Sequence, residues 1–154
     1  MRLGTKGRYA VMALVDLAHR SENQPVALAD IASQQGLSLQ YLEQLFVKLR
    51  KAELVCSVRG SQGGYLLARP ASDIRILEIL VAAEESLKST RCNRLHEKGC
   101  INGTRPCNTH NLWSGLEQVV QGYLQAITLA DLTEQRVMPN GIVVNQTCAR
   151  SGAA

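Results

Sequence analysis

Four side chains with the chemistry of soft-metal ligands lie close together near the middle of the sequence. They are Cys92, Cys100, Cys107 and His110, with seven, six and two residues between successive members. Thiolates and an imidazole in such a group fit tetrahedral zinc or an iron–sulfur cluster. Structural zinc sites usually contain CxxC pairs, which this group lacks, whereas long gaps suit a larger cluster. The spacing therefore favours an iron–sulfur cluster. A zinc site is one alternative, and cysteines that bind no metal are another.

The cysteine count argues against a disulfide framework. The chain has five cysteines, an odd number, and we expect no secretory signal, because Asp16 interrupts the first apolar run. Cys56 alternates within an apolar strand and is expected in the core. Cys148 is expected to be a free thiol. No apolar run approaches the length of a membrane span, so a cytoplasmic protein without a membrane partner is expected.

The segments around the cysteines follow a helical pattern with one hairpin. We expect helices at about 5–19, 28–35, 39–52 and 111–126, and a hairpin within 53–69. Ser72 or Asp73 is expected to cap another helix, and Thr128 a last short one. The pattern predicts a mainly α fold with a small β-hairpin wing, a winged helix-turn-helix followed by a long helix.

The polar face of the third helix is the candidate DNA reader. Ala32 and Gly36 suit the tight turn before it, and Ser38 can cap its first turn. The amino-terminal residues of such a helix enter the major groove of DNA. The candidates for contact with bases or phosphates are Ser38, Gln40, Tyr41, Glu43 and Gln44. Glu43 repels phosphate and the acceptor-rich edge of guanine, so it is expected to restrict the sequences bound.

Basic residues in the first half complete the predicted DNA surface. Residues 1–70 hold nine Lys and Arg against five Asp and Glu, whereas 71–154 hold eight of each, so the excess of +4 lies in the first half. A basic half is a hint of a polyanionic partner. We expect Arg59 at the hairpin tip to approach the minor groove or the backbone, and four others to contact phosphates. These four are Arg2, Lys6, Arg8 and Lys48.

Several segments closely resemble the IscR-type regulators of iron–sulfur cluster assembly. The resemblance covers about residues 1–133 and is carried by four stretches: MRLGTKGRYAVMALVDLA, LADIASQQGLSLQYLEQLFVKLRKAELVCSVRGSQGGYLLAR, CNTHNLW and WSGLEQVVQGYLQAITLADL. It implies a homodimeric bacterial transcription factor. It also implies a 2Fe-2S cluster held by Cys92, Cys100, Cys107 and His110, with the cluster-assembly machinery as a possible donor. Cluster-assembly genes would be repressed when clusters are plentiful.

The long helix at 111–126 is the candidate dimer contact, because its apolar face is wider than one small domain covers easily. We expect a DNA-binding domain at 1–70, then a unit at 71–135 that contains the ligand-bearing loop (88–110) and this helix, and a flexible tail at 136–154. No catalytic triad, phosphate-binding loop or paired carboxylate is apparent, so no enzyme is expected. A zinc-stabilised regulator or interaction protein is the main alternative, and a small electron-transfer protein is a lesser one.

Overall fold

The described chain consists of helices and one antiparallel hairpin. The computed structural model describes residues 4–20, 24–60, 62–85, 87 and 107–138. The elements are α1 (Thr5–Arg20), α2 (Leu28–Gln35), α3 (Leu39–Lys51), β1 (Val55–Val58), β2 (Gly64–Leu67), α4 (Ile76–Ala82), α5 (His110–Ala126) and α6 (Leu129–Thr133). The predicted fold class, mainly α with a small β-hairpin wing, is confirmed.

The core lies where α1, α2, α3 and α4 meet. Their apolar residues recur at helical spacing, so each helix turns one stripe inward. On α3 this stripe consists of Leu42, Leu45, Phe46 and Leu49, all of them buried. Burying a side chain of this size contributes about 1.5–3 kcal/mol. The apolar stripe therefore fixes which face of α3 points toward solvent.

The hairpin is attached to the helices by a second pairing. Val55 pairs with Leu67 at one end of the hairpin, and Val58 pairs with Gly64 at the other. Tyr65 of β2 also forms an antiparallel bridge with Val26: its N–H donates to the Val26 carbonyl at 2.9 Å, and the Val26 N–H donates back at 3.0 Å. The segment before α2 therefore anchors the hairpin against the helical core.

The start of α4 differs from the prediction. Ala71–Asp73 form a short 3₁₀ turn, and α4 begins at Ile76 without a side-chain cap. Neither Ser72 nor Asp73 caps it, because the intervening residues pair with the chain ahead of α6. The Ile76 N–H donates to Ile127 O at 3.0 Å, and the Leu129 N–H donates to Ile74 O at 2.8 Å. This long-range bridge places the start of α4 at Ile76, beyond the position that either predicted cap would give.

The two last helices have contrasting exposure. α6 is buried at its start, where Thr128 and Asp131 form a reciprocal capping box, which confirms the predicted cap. The Thr128 hydroxyl accepts from the Asp131 N–H at 3.1 Å, and the Asp131 carboxylate accepts from the Thr128 N–H at 2.8 Å. In α5, by contrast, Ser114 is the sole buried residue. Among the helices of the described ranges, none combines the length and apolarity needed to cross a membrane.

Candidate nucleic-acid interface and metal centre

The turn between α2 and α3 is built as its sequence predicts. Gly36 adopts the left-handed conformation, with φ of 63°, and ends α2. A side chain there would cost energy because only glycine visits this region freely. Ser38 then caps α3, its hydroxyl accepting from the Tyr41 N–H at 3.2 Å. The cap satisfies one of the free amides of the first turn and leaves that turn open to solvent.

The exposed face of α3 carries the predicted base-reading residues. Ser38, Gln40, Glu43 and Gln44 are all exposed. Ser38 is the cap of α3 and the other three lie in its first two turns, where a recognition helix contacts bases. The structure therefore brings these four candidates together on one accessible surface.

Tyr41 has a different environment from its neighbours on α3. It is half-buried, and its ring lies edge-on to Tyr9 of α1, with ring centres 6.0 Å apart. Its hydroxyl oxygen is buried and has no hydrogen-bond partner within the described ranges. Its position between α1 and α3 supports the packing of the two helices.

The candidate phosphate contacts lie on α1, α3 and the hairpin. Lys6 and Arg8 are exposed on α1, and Arg59 is exposed between the two strands. Lys48 of α3 forms an ion pair with Glu84. Lys6 and Lys48 also line one cavity of about 90 Å³ together with Gln44. Arg2 lies outside the described residues.

The hairpin tip depends on its glycines. Gly60 has φ of 128°, and its carbonyl accepts from the Gly63 N–H at 3.0 Å, which closes the turn. Such a φ is accessible almost solely to glycine. The turn carries Arg59 at the end of β1, at the exposed end of the hairpin.

Cys56 is exposed, so its predicted burial is wrong. Of the four residues of β1, Val55 alone is buried. Successive side chains of a strand point to opposite faces of the sheet, so only every second residue can face the core. Val55 and its partner Leu67 face the core, so Cys56, the next residue of the strand, faces the opposite side of the hairpin and solvent.

The structure describes two of the four predicted metal ligands. Cys107 and His110 are half-buried around the start of α5. The backbone N–H of His110 donates to the backbone carbonyl of Cys107 at 3.0 Å. The Cys107 sulfur lies 3.5 Å from the Thr109 hydroxyl oxygen. Cys92 and Cys100 lie outside the described residues. Within the described ranges, no three ligand-type side chains are grouped as a metal site.

The donors at the start of α5 fit the proposed metal centre. The amino-terminal end of a helix carries partial positive charge, which favours a thiolate over a thiol. A thiolate and an imidazole within one turn are ligands that zinc and iron–sulfur centres share. The described half of the donor set is therefore compatible with either group.

Glu85 is a positioning residue that sequence patterns did not reveal. Its carboxylate accepts hydrogen bonds from the Gly4 N–H at 2.6 Å and the Gly7 N–H at 3.0 Å, so it caps α1 from a position just beyond α4. α1 has no acidic residue in its own first turn. That lack is the one sequence signal that an acidic partner from elsewhere in the chain is needed.

Comparisons with known proteins identify relatives along most of the chain. The Rrf2 family, described as "Iron-dependent Transcriptional regulator", matches residues 3–135. The HTH-type transcriptional regulator IscR of Serratia proteamaculans is 51% identical over 136 residues, which cover 88% of this chain and 81% of that protein. The IscR of Photorhabdus laumondii is 50% identical with the same coverage.

Two solved structures have a similar fold. IscR of T. potens is 41% identical, with a TM-score of 0.71 and 88% of each chain covered. The global cysteine regulator CymR of B. subtilis is 30% identical, with a TM-score of 0.73, and the match covers 88% of this chain and 98% of CymR. Relatives with these two names therefore share the arrangement of helices and hairpin.

Proposed function

Because the chain belongs to the Rrf2 family of transcriptional regulators, we propose that it senses an iron–sulfur cluster and mainly represses cluster-assembly genes. The observation that carries the DNA-binding part is the exposed polar start of α3, held outward by the buried apolar stripe behind it. Its relatives are named as transcriptional regulators, so the expectation that the chain is not an enzyme is confirmed.

In this proposal α3 enters the major groove of double-stranded DNA. Gln44 can pair with adenine, and Ser38 or Gln40 can reach base edges or phosphates. Glu43 can accept from cytosine and disfavours other contacts, which restricts the sequences bound. Tyr41 contributes by holding α3 against α1, in agreement with its contact with Tyr9.

Basic residues fix the position of the protein on the duplex. Arg2, Lys6, Arg8 and Lys48 contact phosphates in this proposal, and Arg59 reaches the minor groove or the backbone beside it. Lys6 and Arg8 share α1 and Arg59 lies at the hairpin tip, so two further elements add exposed positive charge to that of α3. Contacts of this kind depend on salt and carry little sequence information.

The proposed ligands of a 2Fe-2S cluster are Cys92, Cys100, Cys107 and His110. Such a cluster, when bound, supplies a labile redox-active group whose presence reports iron and sulfur supply. Cys107 donates as a thiolate and His110 as a neutral imidazole, so protonation of His110 competes with ligation. The cluster-assembly machinery is the proposed donor.

The path from these ligands to the DNA-binding surface passes through α4. α4 contacts α1, α3 and α5, and Glu85 just beyond it caps α1. Movement of α5 relative to α4 would therefore reach both helices that carry the DNA-contacting residues. We propose that this coupling gives the two cluster states different DNA affinities, as a regulatory response requires.

The proposed DNA contacts and the proposed cluster ligands lie in different parts of the sequence, which we propose to divide into two units and a tail. Residues 1–70 form the proposed DNA-binding unit, and 71–135 contain the ligand-bearing loop (88–110) and the proposed dimerisation helix (111–126). The predicted flexible tail at 136–154 begins too early, because Arg136 forms ion pairs with Asp131 and Glu134 and Val137 packs against the core. Residues 139–154 lie outside the described residues. α4 of the second unit packs in the same core as α1, α2 and α3, so a change in the second unit reaches the first.

α5 is the proposed contact of a homodimer. Four of its large apolar side chains are exposed at helical spacing: Leu112, Leu116, Val119 and Tyr123. An apolar stripe of this kind is stable in water when a second copy covers it. Two-fold pairing would place the two α3 helices about 34 Å apart, one turn of DNA, and would select a palindromic operator.

Val119→Glu is expected to disrupt this dimer. Val119 is 70% exposed in the protomer, so the change leaves the protomer fold intact but inserts a charge into an apolar contact. We expect the dissociation constant to rise at least about tenfold, because unpaired buried charges cost several kcal/mol. Analytical ultracentrifugation measures the change, with Gln118→Glu, also exposed on α5, as the matched control. Equal dissociation constants for the two variants would count against the α5 dimer.

Metal content separates the proposed sensor from a zinc-stabilised regulator. The full-length protein is purified without oxygen, and its visible absorption, iron, sulfide and zinc are measured. We expect a red-brown protein with iron and sulfide in equal amounts. A colourless protein with one zinc ion per chain would instead support the alternative.

A duplex-binding measurement with and without the bound group completes the test. We expect double-stranded DNA to bind with a strong salt dependence and with different affinities in the two states. A coloured protein that binds no duplex, with or without the bound group and at every salt concentration, would favour the electron-transfer alternative.

A further inference from the structure

Glu84 places a carboxylate beside lysines of the proposed DNA-binding surface. It follows α4 and forms an ion pair with Lys48 of α3, 36 positions away in sequence. Lys6 of α1 and Lys51 of α3 also lie close enough to act on its charge. Glu84, Lys48 and Lys51 line one open cavity of about 550 Å³ together with Gln44. An internal anion therefore occupies the side of α3 where DNA phosphates are expected.

The carboxylate of Glu84 is ionised at neutral pH. The hydrogen bond from Lys48 and the charge of the same lysine lower the pKa of Glu84 below its ordinary value, and Lys6 and Lys51 lower it further. The lysines therefore face a full negative charge, which reduces the potential that they offer to a phosphate.

The backbone at Glu84 holds this charge in place. Glu84 has φ of 57°, a conformation that favours glycine at the end of a helix. Its N–H donates to Val81 O at 3.0 Å, and the Glu85 N–H donates to Leu80 O at 3.0 Å. These two bonds close the end of α4, so the direction in which the Glu84 side chain leaves is set by the helix.

The ion pair is open to exchange with an external anion. Side-chain exposure is 33% for Lys48 and 67% for Glu84. Exposed pairs of this kind contribute little to folding stability. A DNA phosphate can therefore reach Lys48 from solvent. To bind there it must displace the solvent-exposed carboxylate of Glu84.

We propose that Glu84 competes with DNA phosphates for Lys48 and its neighbouring lysines, which weakens binding to arbitrary sequences. This inference rests on the proposed DNA-binding function. The competition lowers the affinity that the lysines give to every duplex alike, whereas base contacts from α3 are unaffected. The protein then relies more on base recognition to stay at a site.

Glu84→Gln tests this competition, with Glu53→Gln as the matched control. Both changes remove one negative charge, and Glu53 has a similar backbone conformation, with φ of 56°, just beyond α3. Glu53 is not in any ion pair found among the described residues. The probe is a labelled duplex of random sequence, about 30 base pairs long, which accommodates two half-sites one turn apart. Affinity is measured for the full-length proteins by fluorescence anisotropy over a series of salt concentrations.

We expect Glu84→Gln to bind this duplex about two- to fivefold more tightly than Glu53→Gln at low salt, the range that an exposed ion pair supports. The dependence of log K on log salt should also steepen by up to about one, because one more phosphate contact releases its counterion. In a Lys48→Gln background the advantage of Glu84→Gln should shrink, because Lys48 is the ion-pair partner of Glu84, whereas Lys6 and Lys51 act on it only through their charge. Thermal unfolding confirms that the variants are folded.

Equal or weaker binding by Glu84→Gln, compared with Glu53→Gln, would overturn the inference and identify the ion pair as a brace for α3. A gain of undiminished size in the Lys48→Gln background would also overturn it. If the unaltered protein shows no salt-dependent binding to any duplex, the proposed DNA-binding function itself fails. The two failures are therefore distinguishable.

Discussion

Cys107→Ser is expected to remove at least about nine-tenths of the iron and sulfide bound by the protein, together with its visible absorption. In the proposed site Cys107 supplies one of three thiolates, and the hydroxyl of serine is a much poorer ligand for iron–sulfur centres. Mutation of a residue that only hydrogen-bonds to a metal ligand typically lowers metal affinity by about ten- to hundredfold, and loss of a direct ligand should lower it more. Iron and sulfide assays after anaerobic reconstitution measure the effect.

Cys56→Ser is the matched control for this loss. Cys56 is exposed in β1, in the hairpin, and it is outside the proposed ligand set. The control variant should therefore bind as much iron as the unaltered protein. If the two variants retain equal iron, Cys107 is not a ligand. Thermal unfolding of both proteins without iron shows whether Cys107→Ser has any separate effect on folding.

Gly64→Ala is expected to destabilise the protein by more than about 3 kcal/mol. An added Cβ would overlap the carbonyl oxygen of Val26. It would also lie 2.6 Å from the carbonyl carbon of Val26 and 3.0 Å from the backbone nitrogen of Val26. These atoms belong to the bridge between Val26 and Tyr65, so they cannot move without loss of the hydrogen bonds that attach the hairpin. Forced backbone shifts of this kind belong to the upper range of overpacking costs. Chemical denaturation measures the free energy of unfolding.

Gly122→Ala makes the same chemical change where space is available. An added Cβ at Gly122 meets no atom within 4 Å, and the residue lies inside α5. Alanine there should stabilise the helix by about 0.5–1 kcal/mol, because it restricts the unfolded chain more than glycine does. If Gly64→Ala unfolds with the same free energy as Gly122→Ala, the close approach of β2 to Val26 does not hold in solution.

Local sequence signals were sufficient for most of the secondary structure. The i, i+3, i+4, i+7 apolar spacing located α3, Ser38 marked its start, and Thr128 marked the start of α6. Gly36 marked the end of α2, since its left-handed conformation favours glycine. These features depend on residues within one or two turns of each other, so a single sequence contains the information that determines them.

The positions of single side chains on the assembled surface required the tertiary structure. Cys56 has the alternation of a buried strand residue but is exposed, because it lies on the face of the hairpin opposite Val55 and Leu67, which contact the core. Tyr41 belongs to a polar helical segment, yet its ring packs on Tyr9 from α1. Burial is decided by what lies opposite each face, and sequence periodicity does not identify that neighbour.

The chain order of polar and basic residues was enough to predict a DNA-binding protein, because helix patterns are local properties, and the metal centre stays a prediction from ligand spacing. The contacts of Glu84 with Lys48, and of Glu85 with Gly4 and Gly7, came from the folded chain alone. They join residues 36 to 81 positions apart. Such pairs form only after the helices have packed, since the packing of α4 on α1 and α3 brings their partners within reach.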